Sequence, residues 1–334
     1  MASQRPFHIG LTRDLLTSSG APCFNPAALE ELAANPSITW EWVPEDLTEV
    51  TPDIAARYDG LHVNLPRVPA SAVARSDCRL KIVARNGVGY DSVDVPALAA
   101  KGIAVTNTPL AVRRPVAVAT LTLLFALAGR LVDKDRLVHQ GRWNDRTDYM
   151  GQGLTKRTLG IVGAGSIGQE IMRLARPFFG AMIAADPYAD ATKLKDLGCD
   201  LLPLDDVMAR ADYVVVCALL TPETRHLINA SRLARMKRTA YLINVGRGPI
   251  VDEQALITHL KAKGIAGAGL DVTEIEPIAN DNPLLKMDNV LITAHALCWT
   301  DECFEDIARS ALKSLADYSL GKRPAHLVDA SVWR

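Results

Sequence analysis

The chain offers a partner almost no net charge. In 334 residues, 37 Lys and Arg stand against 38 Asp and Glu, a formal charge of −1. No basic run is longer than a pair such as Arg113-Arg114, so the general attraction on which nucleic-acid or anionic-membrane binding relies is missing. Cysteine motifs are missing too. Cys23, Cys78, Cys199, Cys217, Cys298 and Cys303 form no C-x-x-C and no zinc-finger spacing, which argues against a metal knuckle; they read as buried thiols of a reducing cytoplasm. The first ten residues contain no continuous apolar run of the export type. The most apolar stretch, residues 115–129, is shorter than the roughly 20 residues that span a bilayer. The expectation is a cytoplasmic protein with neither a nucleic-acid nor a membrane partner and no metal.

What is present is ordinary for a globular chain: 49% hydrophobic and 22% charged residues, at a length that suits two domains. Short apolar runs at 7–11, 60–63, 80–84 and 103–106 read as strands. A helix is expected over 26–34, with Asn25 as its N-cap. Residues 115–131 read as a helix apolar on all faces, continuing into a charged stretch at 133–136. Such a helix needs partners, either at a domain junction or at a subunit interface. From residue 158 a second series begins, with strands at 158–162, 182–185, 212–218, 240–245, 267–270 and 290–293. Helices at 167–178, 193–197, 230–236 and 253–263 alternate with them, and another follows at 300–320. This is α/β, with parallel sheets and a doubly wound rhythm in the second series.

The strongest single motif is Gly163-Ala164-Gly165-Ser166-Ile167-Gly168. A lone G-x-G-x-x-G is weak, but here a strand precedes it and a helix follows. Gly163 permits the turn, Gly165 lets a pyrophosphate approach the backbone, and Gly168 lets strand and helix pack closely. The helix N-terminus offers N–H groups to phosphate. Asp186 ends the next strand, 18 residues after Gly168. A carboxylate there accepts from a ribose hydroxyl and repels a 2′-phosphate, and no compensating Arg follows it, so NAD is expected rather than NADP.

Three polar residues follow later strands of this series: Arg247, Glu276 and His295. Taken singly, each has a plain structural reading. Together after strands of one nucleotide-binding unit, they suit reduction of a 2-oxo acid. Arg presents a planar fork of donors to a carboxylate or ketone. His titrates near neutrality and can deliver or take the proton that accompanies hydride transfer. A carboxylate beside it stabilises the imidazolium.

These residues, with Gly87-Val88-Gly89-Tyr90-Asp91, Leu220-Thr221-Pro222-Glu223-Thr224, Asn244-Val245-Gly246-Arg247-Gly248-Pro249 and Leu270-Asp271-Val272, give a chain that resembles the D-isomer-specific 2-hydroxyacid dehydrogenase family. The resemblance implies two Rossmann-like domains: a doubly wound NAD domain, residues 108–295, inserted in a flavodoxin-like substrate domain, residues 1–107 and 296–334, with the site in the cleft between them and a homodimer as the assembly. It also implies roles. Arg247 binds substrate, Glu276 partners the acid–base His295, and Asn64, Val88 and Gly89 contact the substrate. Gly163, Gly165, Ser166, Ile167, Gly168, Asp186, Leu219, Thr224, Val245, Gly246 and Asp271 line the cofactor, Asp271 at the nicotinamide carboxamide. The chain departs from the family pattern at Ala294, usually Pro, and at Leu297, Cys298 and Trp299, expected to reshape the substrate pocket. Asn64 stands where phosphoglycerate dehydrogenases usually carry Arg, which favours small 2-oxo acids such as glyoxylate or hydroxypyruvate. Two other functions fit the scaffold: an NAD(H)-sensing corepressor-type binding protein, and a dehydrogenase of formate or phosphite.

Overall fold

The computed structural model describes residues 5–333. Five strands come first: β1 (Phe7–Leu11), β2 (Ile38–Trp42), β3 (Gly60–Val63), β4 (Ile82–Arg85) and β5 (Ala104–Thr106). They form one parallel sheet in the order β2-β1-β3-β4-β5, the flavodoxin-like order. Seven more follow: β6 (Thr158–Val162), β7 (Ala181–Ala185), β8 (Cys199–Leu201), β9 (Tyr213–Val216), β10 (Tyr241–Asn244), β11 (Gly267–Leu270) and β12 (Val290–Ile292). Their order, β12-β11-β10-β9-β6-β7-β8, reverses direction between β6 and β9, as in dinucleotide-binding sheets.

The chain divides into two compact units, Met1–Val112 with Trp299–Arg334, and Arg113–Cys298. The first division falls inside the helix Pro109–Gly129, later than the expected cut after residue 107, because the helix starts directly after β5 and its first turn stays with the first unit.

Strand periodicity explains the two-faced cores. In the first unit Leu61, Val63 and Val83 turn to one face with Tyr58, Ile54 and Leu98. Ile82, Ala84 and Ile9 turn to the other, covered by the helices Ala27–Ala33 and Asp301–Ser319 through Leu29, Leu32, Phe304 and Leu312. In the second unit Leu159, Ile161, Tyr213 and Val215 face one side, and Val162, Val214, Val216 and Leu242 the other.

Several elements depart from the sequence expectation. The edge strand β2 and the helices Pro52–Arg57, Val95–Ala100 and Leu204–Arg210 were not anticipated. The helix Ala27–Ala33 starts after Pro26, yet Asn25 Oδ1 still accepts from the Ala27 N–H at 3.0 Å. The long apolar helix begins at Pro109, not Pro115, and spans 21 residues with Pro115 inside it. It is therefore long and apolar enough to cross a membrane by length and composition, and the length argument against a span does not hold; 44% of its apolar stretch is buried. Nor does it run on into the charged stretch. Arg130 adopts φ 50°, and a new helix, Leu131–His139, starts after it. Ala117, Leu121, Leu124 and Leu127 are buried in the second unit's core, whereas Val118 and Phe125 stay exposed. All six cysteines are free; Cys199 and Cys303 are buried, and the other four only partly.

Candidate active site

At the carboxyl end of β6 the chain turns through Gly163, whose φ is +96°. A Cβ there would lie 2.6 Å from the Ala218 backbone, and one on Gly168 would lie 2.2 Å from the Gly163 carbonyl oxygen. Both positions therefore require glycine. A Cβ on Gly165 would meet nothing within 4 Å, so that position opens onto free space. The helix Ser166–Ala175 starts here, leaving the N–H groups of its first turn, on Ser166, Ile167 and Gly168, without partners inside the helix. The Cys217 thiol, at the end of β9, donates to the Gly163 carbonyl at 3.0 Å; burial pushes this thiol up to about 12, so it stays a donor. Asp186 Oδ2 accepts from the Ala164 N–H at 2.7 Å, and Oδ1 from the Tyr188 N–H at 2.8 Å. A loop with a tight turn, an open glycine, a helix start and a fixed carboxylate at the switch point fits an adenine dinucleotide.

The other expected cofactor residues lie on loops after the neighbouring strands. Thr224 Oγ1 donates to the Leu219 carbonyl at 2.7 Å, closing the loop that carries both. Buried Asn244 holds the turn Val245-Gly246-Arg247 from both ends: its Oδ1 accepts from the Gly246 N–H at 3.1 Å and its Nδ2 donates to the Arg247 carbonyl at 3.0 Å. Arg247 Nη1 donates to the Gly246 carbonyl at 2.9 Å. Asp271, buried, accepts through Oδ1 from Thr293 Oγ1 at 2.6 Å and from the Ala296 and Leu297 N–H groups at 3.2 Å each. That carboxylate therefore ties β11 to the loop carrying His295.

His295 and Glu276 meet. Nδ1 lies 2.8 Å from Glu276 Oε2, and the side chains are 41% and 39% exposed. His295 sits at φ 54°, a left-handed conformation that a non-glycine residue adopts at some cost; its N–H donates to the Asp271 carbonyl at 2.8 Å. Nδ1 is engaged by this contact, which leaves Nε2 outside it. Partial burial works to raise the Glu276 carboxyl. The His295 hydrogen bond and charge, the Thr273 N–H at 3.1 Å and the Arg247 charge outweigh it and hold Glu276 below its ordinary range. Arg247 and His295 thus both act on Glu276, from two other loops.

A second pair went unanticipated. His226 Nε2 lies 2.7 Å from Glu274 Oε1, two residues before Glu276. Glu274 Oε2 accepts from the Glu253 N–H at 3.2 Å, and Glu253 Oε2 accepts from the Glu274 N–H at 2.9 Å. Asn282 Nδ2 donates to Glu253 Oε1 at 2.8 Å. This reciprocal lock anchors the loop from which Glu276 projects. His226 lies two residues beyond the Leu220–Thr224 motif, and nothing in its spacing pointed to a residue 48 positions away.

In the first unit, Val88 and Gly89 lie on the loop after β4. Gly87 exchanges bonds with Thr108 at 2.9 Å in both directions, and Asn107 Nδ2 donates to the Val88 carbonyl at 2.8 Å. No described residue accepts from the Val88 or Gly89 N–H. Asn64 is buried and bonded to Asn86. Leu297 packs on the core of the second unit, and Trp299 sets its ring edge-on to Phe304 at 4.9 Å.

Residues 121–296 match the D-isomer specific 2-hydroxyacid dehydrogenase, NAD binding domain. A glyoxylate reductase of Korarchaeum cryptofilum is 40% identical over 257 residues, 76% of this chain and 77% of that one. The chain belongs to the D-isomer-specific 2-hydroxyacid dehydrogenase family. Solved structures agree. The NADPH-dependent glyoxylate/hydroxypyruvate reductase of Sinorhizobium meliloti, in complex with NADP and malonate, superposes with a TM-score of 0.82 at 30% identity, covering 99% of each chain. The D-lactate dehydrogenase of Aquifex aeolicus, complexed with NAD and lactic acid, gives 0.83 at 25% identity, covering 96% of this chain and 98% of that one. This D-2-hydroxyacid dehydrogenase is thus an enzyme with an NAD-binding domain, interconverting 2-oxo and 2-hydroxy acids with NAD(P).

Proposed function

We propose that the enzyme reduces small 2-oxo acids, glyoxylate and hydroxypyruvate foremost, to D-2-hydroxy acids, with His295 as the acid–base. The observation that carries this reading is the 2.8 Å contact between His295 Nδ1 and Glu276 Oε2, which leaves Nε2 for the substrate oxygen. NADH, when bound, supplies the hydride. His295, entering protonated, gives its Nε2 proton to the oxygen of the former ketone; in the reverse direction it enters neutral and takes that proton. Glu276, held ionised below its ordinary range, stabilises the imidazolium and fixes the ring. Arg247 holds the carboxylate and polarises the ketone through its planar fork. The Val88 and Gly89 N–H groups donate to the carboxylate. On the cofactor side, Gly163, Gly165, Ser166, Ile167 and Gly168 cradle the pyrophosphate, Asp186 takes the ribose hydroxyls, Leu219 and Thr224 border the adenosine, and Val245, Gly246 and Asp271 face the nicotinamide half.

The relatives named glyoxylate reductase support the substrate class, and Asn64, uncharged and buried, supports an unphosphorylated acid. Exposed Val118, Phe125, Leu131 and Trp143 support a homodimer, which light scattering behind a sizing column tests. The deciding experiment is a panel of glyoxylate, hydroxypyruvate, pyruvate, phenylpyruvate and phosphohydroxypyruvate with NADH and NADPH at neutral pH. The expected result is turnover with NADH, fastest with the first two. Binding of NADH without turnover of any of them would refute the reading.

A further inference from the structure

The helix that follows the glycine loop carries a buried carboxylate. From Gly163 to Met172 the chain has no Lys or Arg, and Glu170 is its one acidic residue. Glu170 stands in the second turn of the helix Ser166–Ala175 and is 5% exposed. Arg114 Nη1, from the long helix Pro109–Gly129, donates to Glu170 Oε1 at 2.5 Å, and Arg173 Nη1 donates to Oε2. All three residues belong to the second compact unit. Both arginine side chains are more than half exposed. Burial works to raise the Glu170 carboxyl, but the Arg114 hydrogen bond and the charges of both arginines outweigh it and hold the group below its ordinary range. Glu170 is therefore ionised.

A carboxylate is out of place there. Glu170 follows Ser166 by four residues and Ile167 by three, so it shares their face of the helix one turn on. Helix side chains also lean back toward the N-terminus. The same first turn offers its N–H groups to the doubly negative pyrophosphate. The nearest charge in sequence to Ser166 thus has the wrong sign for that anion, and Asp186, bonded to the Ala164 N–H, adds another of the same sign. Arg114 and Arg173 reverse this, since with Glu170 they sum to one positive charge. Packing alone does not call for such a cluster. Replacing a buried ion pair by apolar groups of similar volume is often neutral or stabilising, whereas removing one partner leaves an uncompensated charge.

We propose that Arg114 tunes cofactor affinity through Glu170: by covering that carboxylate it leaves a net positive charge beside the helix turn that binds the pyrophosphate of NADH. Arg114 acts through Glu170 and not on the reacting atoms, so it is a positioning residue. The inference depends on dinucleotide binding and not on which acid is reduced. It gives each substitution its own sign. Arg114→Met and Arg173→Met each take the cluster to no net charge. Glu170→Gln breaks the same two ion pairs yet takes the cluster to two positive charges. Arg114→Met combined with Glu170→Gln restores one.

The test is calorimetric titration of NADH into wild type, the three single variants and the double variant, with thermal melts recording that each is folded. ADP-ribose and adenosine serve as probes with and without a pyrophosphate. At low salt, Arg114→Met and Arg173→Met should raise Kd for NADH and ADP-ribose about three- to ten-fold, Glu170→Gln should lower it about two- to five-fold, and the double variant should return to within about two-fold of wild type. Adenosine should bind all five proteins alike, and the differences should shrink as ionic strength rises. A brace between two helices is damaged equally by losing either partner, so weaker NADH binding in Glu170→Gln as well as in Arg114→Met would overturn the inference. Equal affinities in all five proteins would overturn it too, as would changes that adenosine shares. Should Arg114→Met not fold, Arg173→Met makes the same change in charge, and the opposite sign for Glu170→Gln still decides. No readout uses a 2-oxo acid, so failure of the proposed substrate class leaves this test intact.

Discussion

Two carboxylates on one short loop, Glu276 and Glu274, each meet a histidine from a different loop. His295–Glu276 uses Nδ1 at 2.8 Å; both histidines are about two fifths exposed and both adopt left-handed backbone conformations, so neither feature separates the pairs. His226–Glu274 uses Nε2 at 2.7 Å, and its carboxylate is also spent on the Glu253 backbone, which answers with a bond in return. Each pair leaves one ring nitrogen outside the contact, so the carboxylates separate them. Glu274 is locked to Glu253 on another segment, whereas Glu276 accepts from the Thr273 N–H of its own loop. A short contact between imidazole and carboxylate therefore does not by itself mark an acid–base. His62 completes the contrast, since it has no carboxylate and is held neutral by burial.

Substitutions should separate the three. The largest effect is expected for His295→Ala, with kcat for 2-oxo acid reduction falling roughly 10²–10⁴-fold, and NADH affinity, read by fluorescence, unchanged. Next is His62. Its folded value near 4 lies below the ordinary 6.5, so between those values the unfolded chain binds a proton that the folded chain does not. Stability is therefore full above about pH 6.5 and declines as pH falls toward 4, by on the order of 3 kcal/mol. Urea midpoints measured across that range should show this slope in the wild type and lose it in His62→Leu.

His226→Ala and Glu274→Gln should lower kcat by only about 3–10-fold, the effect of a loosened supporting contact rather than a lost proton donor, since a misplaced group costs rate without changing the chemistry. KM for NADH should not move. The smallest effect concerns Glu276. Its folded carboxyl is depressed, so its contribution to stability is present above the ordinary carboxylate range near 4.3 and is lost as pH falls through the lower folded value. The difference in melting temperature between wild type and Glu276→Gln should be present at pH 7 and vanish in strong acid.

How much of this could be read beforehand follows from how local each feature is. The glycine loop is a strand, a turn and a helix start within eleven residues, and it stands where the motif placed it. The long helix was expected from Pro115, where the continuous apolar stretch begins, whereas the chain is helical from Pro109, through a first turn and a half that includes Arg113 and Arg114. β2 alternates Ile-Thr-Trp-Glu-Trp, a legible pattern that was passed over; as an edge strand it pairs with β1 alone. The His226–Glu274 contact, the Arg114–Glu170 ion pair and the full burial of His62 were out of reach for a different reason: they are properties of packing between separate segments that no spacing encodes.

The most direct test of the division of labour on the loop is the pH dependence of kcat, measured side by side for wild type, His295→Ala and His226→Ala with hydroxypyruvate and NADH. The account predicts that His226→Ala keeps the wild-type profile at a modestly lower rate, whereas His295→Ala loses both the rate and the wild-type pH dependence. A wild-type profile in His295→Ala, or its loss in His226→Ala, would contradict it.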